Sequence, residues 1–242
     1  ATATVVNNVE TLANVPGILT HGADWFREVG TEDSPGPMLF TVSGDVRNPS
    51  VAELPLGTPL SFLLYGVVGG LEAGRRPKLV VSGVSNRPLT ASELDTPLSF
   101  EAMSEIGSGL GSGGFIVYDD TTCVVEVATV LSWFLQVGSC GQCPPCKLGT
   151  TAFAEGFEKV MAGTATEDDL DDMLGWVPRV TDSNRCGLGA GQQNLAAGIF
   201  NTFPNDVRAC FEGRCPGHRG LAPPLPTDHD PLNRRPIQIF AP

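Results

Sequence analysis

Positive charge is scarce in this sequence: 15 Lys and Arg stand against 27 Asp and Glu, a formal net charge of −12. Nucleic-acid binding relies on Lys and Arg against phosphates, so a balance this acidic argues against that partner. No polybasic segment is available for an anionic membrane surface either. Long apolar runs are also missing. The best stretch, Val124 to Leu135, is interrupted and falls short of the roughly 20 residues that cross a bilayer. Ala1 to Val9 has neither a basic start nor an apolar core, so no secretory signal is expected. Membrane insertion is therefore not expected. What remains is the composition of a soluble globular protein, 41% hydrophobic and 17% charged, with 29 Gly and 20 Pro that call for many turns.

Cysteine is the exception to this scarcity. There are seven, an odd number, and four are spaced like metal ligands. Without a signal peptide, that favours reduced thiols in the cytoplasm over a disulfide framework.

The pattern along the chain predicts an α+β protein. Residues 1–35 read as an extended entry and a partly helical stretch, with a turn at Asn14-Val15-Pro16-Gly17 and a break at Ser34-Pro35-Gly36-Pro37. Residues 36–120 switch to short β segments. Leu39–Gly44 and Val51–Leu54 form a hairpin around Asn48-Pro49, and Thr58-Pro59 starts a helix over Leu60 to Val68 that Gly69-Gly70 ends. Lys78–Ser82 and Phe115–Tyr118 are two further strands. A hairpin, a helix across it and later strands suggest a small β-grasp domain. Residues 121–215 turn helical, with apolar stripes starting at Val124, Phe153, Leu170 and Leu195, the last stopped by Pro204. Four short helices with brief connections imply a compact bundle. Residues 216–242 are Pro-rich, without an apolar period, and read as an extended arm.

Cys140, Cys143 and Cys146 follow one another at three-residue steps, and Cys186 follows after a 39-residue gap. Three thiolates on one loop plus one from afar can enclose a cubane iron–sulfur cluster. A four-thiolate zinc site uses the same tetrahedral sulfur but usually comes as paired CxxC knuckles. A thioredoxin-like pair at Cys143-Pro144-Pro145-Cys146 would lack its βαβ context. Helix starts near Lys147 and after Cys186 would aim N–H groups at anionic sulfur, with Lys147 and Arg185 as adjacent cations or solvated surface charges. Cys123 reads as a buried small hydrophobe. Cys210 and Cys215 could bind a second metal but read as structural or idle thiols, with His218 the sole nearby partner. Gly109 to Gly114 satisfies GxGxxG, but a strand follows it, which is not the dinucleotide-binding order.

Several separate segments resemble one family, the NADH-oxidising flavoprotein subunit of respiratory complex I, with relatives in NAD-linked hydrogenases and formate dehydrogenases. Asn7-Asn8-Val9-Glu10-Thr11 looks like its NNVET segment, and Gly30 to Leu39 with Ser43-Gly44-Asp45-Val46 resembles the entry to its β-grasp domain. Gly111 to Asp120 with Thr122-Cys123 is similar to the segment that closes it. Ser139 to Lys147 with Cys186 matches its SCGxCxPC loop and distant ligand.

The resemblance implies that Cys140, Cys143, Cys146 and Cys186 ligate one 4Fe–4S cluster. Asn7, Asn8 and Thr11 would line an FMN pocket, and Gly187 and Leu188 would lie between flavin and cluster. It covers only the second half of the family pattern. The Gly-rich loop for the FMN phosphate and the acids that contact NADH are not in the chain. An N-terminal flavin/NADH domain or a partner subunit would then supply them, and other iron–sulfur subunits would take the electrons. The expected function is the iron–sulfur electron-transfer region of an NADH dehydrogenase flavoprotein, cytoplasmic or peripheral to the inner face of a membrane through a complex. The alternative is a non-catalytic binding or scaffold module stapled by zinc.

Overall fold

A computed structural model describes residues 3–221, 228–230 and 235–237. Helix α1 (Val9–His21) starts at Asn8, whose side chain accepts from the Glu10 N–H, and α2 (Ala23–Arg27) follows. The turn expected at Asn14–Gly17 is helix instead, with Pro16 inside α1. The ring removes the bond to the Leu12 carbonyl. The unbroken helix brings Gly17 beneath the Trp25 ring, where a Cβ would lie 2.8 Å from Cη2.

The β-rich part forms one five-stranded sheet, in the order β2-β1-β5-β3-β4. Its strands are β1 (Pro37–Gly44), β2 (Ser50–Pro55), β3 (Pro77–Ser82), β4 (Leu89–Thr90) and β5 (Gly114–Asp119). β1 and β5 are parallel and the other neighbours antiparallel. The helix expected over Leu60 to Val68 is a π-helical turn, Phe62–Val67. A short helix, α3 (Phe100–Glu105), has no counterpart in the sequence reading.

At β3, both faces of the sheet are buried. Successive residues of a strand point to opposite faces, and β3 divides accordingly. Val80 joins Phe40, Leu63, Phe115 and Val117 in one core, while Leu79 and Val81 join Tyr118 and the helices in the other. The sheet is thus a wall shared by two cores.

The four helices expected after residue 120 are present: α4 (Val124–Gly138), α5 (Pro144–Ala162), α6 (Glu167–Arg179) and α7 (Leu188–Thr202). A fifth, α8 (Pro204–Phe211), starts at the proline that reads as a stop. Proline suits the first helical position because that N–H needs no partner. α6 begins with a capping box between Thr166 and Asp169. No helix among the described residues is long and apolar enough to cross a membrane. The arm expected over 216–242 lies mostly outside the described residues, apart from its first six and a short antiparallel pair, β6 (Asp228–Asp230) with β7 (Arg235–Ile237).

Gly44 ends β1 at φ 92°, and a Cβ there would collide with the Val117 carbonyl oxygen. Gly74 has a similar φ of 81° but open space. Gly44→Ala is therefore expected to destabilise the fold by more than Gly74→Ala, by about 1–3 kcal/mol beyond the shared conformational cost. Urea unfolding of both variants checks the difference.

A second expectation concerns Glu101, which accepts from the hydroxyls of Thr31 and Ser34, each at 2.5 Å. Those hydrogen bonds, Ser34 first, lower its pKa from 4.5 to about 2. A carboxyl with a depressed folded pKa adds stability that is present above its unfolded value and fades as pH falls through the folded one. The unfolding midpoint of Glu101→Gln should therefore lie below wild type at pH 7, with the gap closing between about pH 4.5 and 2.

Candidate functional site

Two helix-to-helix connections converge on one pocket. The first joins α4 to α5. Ser139 caps α4, its N–H bonding to the Leu135 and Gln136 carbonyls, and the chain then turns through Gly141 at φ 77°. α5 begins with two prolines, Pro144 and Pro145, directly after Cys143. The second connection leads from α6 through Asn184, Arg185 and Cys186 into α7, which Gly187 precedes.

Cys140, Cys143, Cys146 and Cys186 all line this pocket, with Gly138, Ser139, Asn184 and Leu188, around a volume of about 190 Å³. Cys146 is buried, Cys143 is half-buried, and Cys140 and Cys186 are exposed. The Ser139 hydroxyl lies 3.5 Å from the Cys146 sulfur. Arg185 Nη1 donates to Gln142 Oε1 at 3.1 Å and clips the two connections together. The four residues that sequence spacing grouped are thus brought together.

The surroundings differ in two respects from the sequence reading. Lys147 does not face the thiols: its Nζ donates to the Gln136 carbonyl at 2.9 Å and closes the end of α4. α5 also offers fewer N–H groups than a helix start normally does. Prolines occupy its first two positions, and the Lys147 N–H is taken by the Cys143 carbonyl, which leaves the Cys146 N–H. The start of α7 is unobstructed, with Leu188, Gly189 and Ala190 preceding its first intrahelical bond, Gly191 to Gly187. Gly189 is needed there, because a Cβ would meet the Asn184 amide and the Val180 carbonyl.

Four soft thiol donors, no carboxylate in the lining and a helix start beside Cys186 are the chemistry an anionic iron–sulfur cluster requires. The residues present fit that cofactor.

The flavin-side residues sit elsewhere. Asn8 and Thr11 line a separate pocket of about 540 Å³ with Phe26, Met38, Phe100 and Ser112. The Asn8 side chain is engaged in capping α1, and Asn7 Oδ1 accepts from the Asn8 N–H at 2.8 Å. Asn7 does not line this pocket, and Gly187 and Leu188 stay at the start of α7. Glu10 fixes the pocket's rim by accepting the Leu39 N–H at 2.6 Å, an α1–β1 tie that no sequence pattern signalled. The sequence reading allows Cys210 and Cys215 a second metal, with His218 nearby, but prefers structural or idle thiols and leaves Cys123 out; the structure brings the side chains of all four together from three segments. Cys123 is buried in the helical core, as its helix-start position suggests, and its sulfur also faces this group.

Comparison with known proteins agrees with this geometry. The family described as the NADH-ubiquinone oxidoreductase-F iron-sulfur binding region matches residues 126–210. The NADP-reducing hydrogenase subunit HndC of Solidesulfovibrio fructosivorans is 35% identical over 217 residues, 89% of this chain and 44% of that protein. The NADH-quinone oxidoreductase F subunit of Mycobacterium tuberculosis is 39% identical over 215 residues, 88% of this chain and 48% of that one. The solved structure of an air-oxidised NAD+-reducing [NiFe]-hydrogenase superposes with a TM-score of 0.76 at 36% identity, over 86% of this chain and 35% of that one. The chain thus spans about half the length of the curated relatives it matches. The chain carries the NADH-ubiquinone oxidoreductase-F iron–sulfur binding region over residues 126–210, and over most of its residues it is similar to about half of an NADH-quinone oxidoreductase F subunit and of its hydrogenase counterparts.

Proposed function

We propose that this chain is the iron–sulfur electron-transfer region of an NADH-oxidising flavoprotein, and that Cys140, Cys143, Cys146 and Cys186 hold its 4Fe–4S cluster. The observation that carries this reading is the convergence of these four thiols, from two connections, on one pocket. When bound, such a cluster supplies one-electron transfer between reduced FMN and downstream iron–sulfur carriers. The chain's own part is to hold and tune it. Cys146 and Leu188 restrict water on the protein side, the Ser139 hydroxyl is near enough to Cys146 to donate to its sulfur, and the α7 start presents N–H groups beside Cys186.

The same reading assigns residues 36–120 to a β-grasp domain, 121–215 to the helical cluster-binding domain and 216–242 to a C-terminal arm. The strand order, with first and last long strands parallel at the centre, supports the β-grasp assignment. Residues 1–35 would lie on the flavin side. There Asn7, Asn8 and Thr11 would meet FMN, with Gly187 and Leu188 toward the cluster. The exposed Val9, Leu12 and Leu19 of α1, with Trp25 of α2, suit a covering flavin/NADH domain or partner subunit.

Two measurements test this. Anaerobically purified chain should be brown and contain about four irons and four sulfides. Cys186→Ser should lose at least about half of both, because three thiolates leave one corner without its ligand. Colourless protein with zinc at these cysteines would sink the proposal, and full iron in Cys186→Ser would remove the fourth ligand. In the complete enzyme, Thr11→Trp fills the N-terminal pocket and should lower FMN content several-fold with iron unchanged. Unaltered FMN would place the flavin elsewhere.

A further inference from the structure

We propose that Cys123, Cys210, Cys215 and His218 form a second metal site, one that binds a single zinc ion. The argument begins with distance. The ligand atoms of all four lie within 4.8 Å of one another. Cys123 and Cys210 sulfurs are 3.6 Å apart, Cys210 Sγ and His218 Nε2 are 3.6 Å apart, and Cys215 Sγ and His218 Nε2 are 3.5 Å apart. A tetrahedral ion with Zn–S near 2.3 Å and Zn–N near 2.05 Å separates its ligands by about 3.8 Å for sulfur pairs and about 3.6 Å for sulfur and nitrogen. The observed spacings are those of ligands around one ion.

Other readings of the cluster fail on the same numbers. A disulfide needs sulfurs about 2.05 Å apart, and all seven cysteines are free. A cubane puts each thiolate on a different iron and so holds the four farther apart than a single ion does. Three of the four residues also lie outside the matched iron–sulfur region, 126–210. Three thiolates and one imidazole are a closed structural zinc set with no position left for substrate. Hard cations such as magnesium or calcium prefer oxygen ligands.

The placement of the ligands indicates what the ion does. Cys123 precedes α4, Cys210 lies in the last turn of α8, and Cys215 and His218 lie on the segment beyond. That segment folds back across the junction of β5 and α4. Arg219 reaches Asp45 at 2.7 Å and also contacts Asp119 and Thr121. The N–H groups of Arg219 and Leu221 donate to the Glu126 carboxylate at 2.9 and 2.8 Å. Glu126 is fully buried, and a buried carboxylate without donors is strongly destabilising. The ion would hold residues 215–221 where they satisfy Glu126 and tie α4, α8 and the β1 end into one body. It stands whether or not the other four cysteines carry a cluster.

The test is metal analysis of the anaerobically purified full chain. The expected result is about one zinc per chain beside the cluster iron, with a zinc X-ray absorption spectrum fitted by three sulfurs and one nitrogen. Cys123 and Cys210 are buried and their replacement could unfold the chain, so the variants are Cys215→Ser and His218→Ala. Each should lower zinc affinity at least about tenfold, as loss of supporting contacts alone already does. Visible absorption should stay at the wild-type level, and trypsin should cut several-fold faster after Arg214 and Arg219. Wild-type chain without zinc, an extra iron in place of zinc, or full zinc retention in both variants would overturn the proposal.

Discussion

Burial of α4 against the outer face of the sheet is the constraint on which both metal-binding groupings depend. Nine of its fifteen residues are buried, among them Val124, Val127, Leu131 and Leu135, which pack with Leu79, Val81 and Tyr118 of the sheet and with Phe153 and Phe157 of α5. Each large apolar side chain buried in this way contributes about 1.5–3 kcal/mol. A helix of fifteen residues is about 22 Å long, and its two ends carry the two sets of thiols. Cys123 stands at its start, and the loop bearing Cys140, Cys143 and Cys146 leaves its end. The position of α4 therefore sets where both sets lie.

The polar residues along α4 show how tightly that position is specified. Glu126 in its first turn is held by two backbone N–H groups from the returning segment. Ser132 accepts from the buried Gln192 of α7 at 3.1 Å, which fixes the helix that begins beside Cys186. Lys147 closes the other end of α4 from the first turn of α5. A side chain near the start, one in the middle and one past the end each couple α4 to a segment that bears a thiol.

The sequence made visible whatever is local. The three-residue cysteine steps, the apolar stripes of α4 to α7 and the β segments at Leu39–Gly44 and Phe115–Tyr118 each lie within one loop, one helix or one strand, and all are found. Prolines misled twice, because Pro16 and Pro204 read as breaks while one lies inside α1 and the other opens α8. The double burial of β3 was not readable, since its apolar run fits one covered face or two. The Cys123 grouping was out of reach for another reason. Cys123 and the Cys210 sulfur that faces it are 87 residues apart in the chain, and only packing of α4 against α8 joins them. Cys186 was reachable across a 39-residue gap because the CxxCxxC loop calls for a fourth thiol.

The most direct measurement is a crystal structure of anaerobically purified protein with anomalous difference maps at the iron and zinc absorption edges. The expected iron-edge map has one strong peak, bounded by Cys140, Cys143, Cys146 and Cys186, with electron density for a cubane. An iron-edge map empty at that pocket, with zinc or a disulfide among those four cysteines, would contradict it.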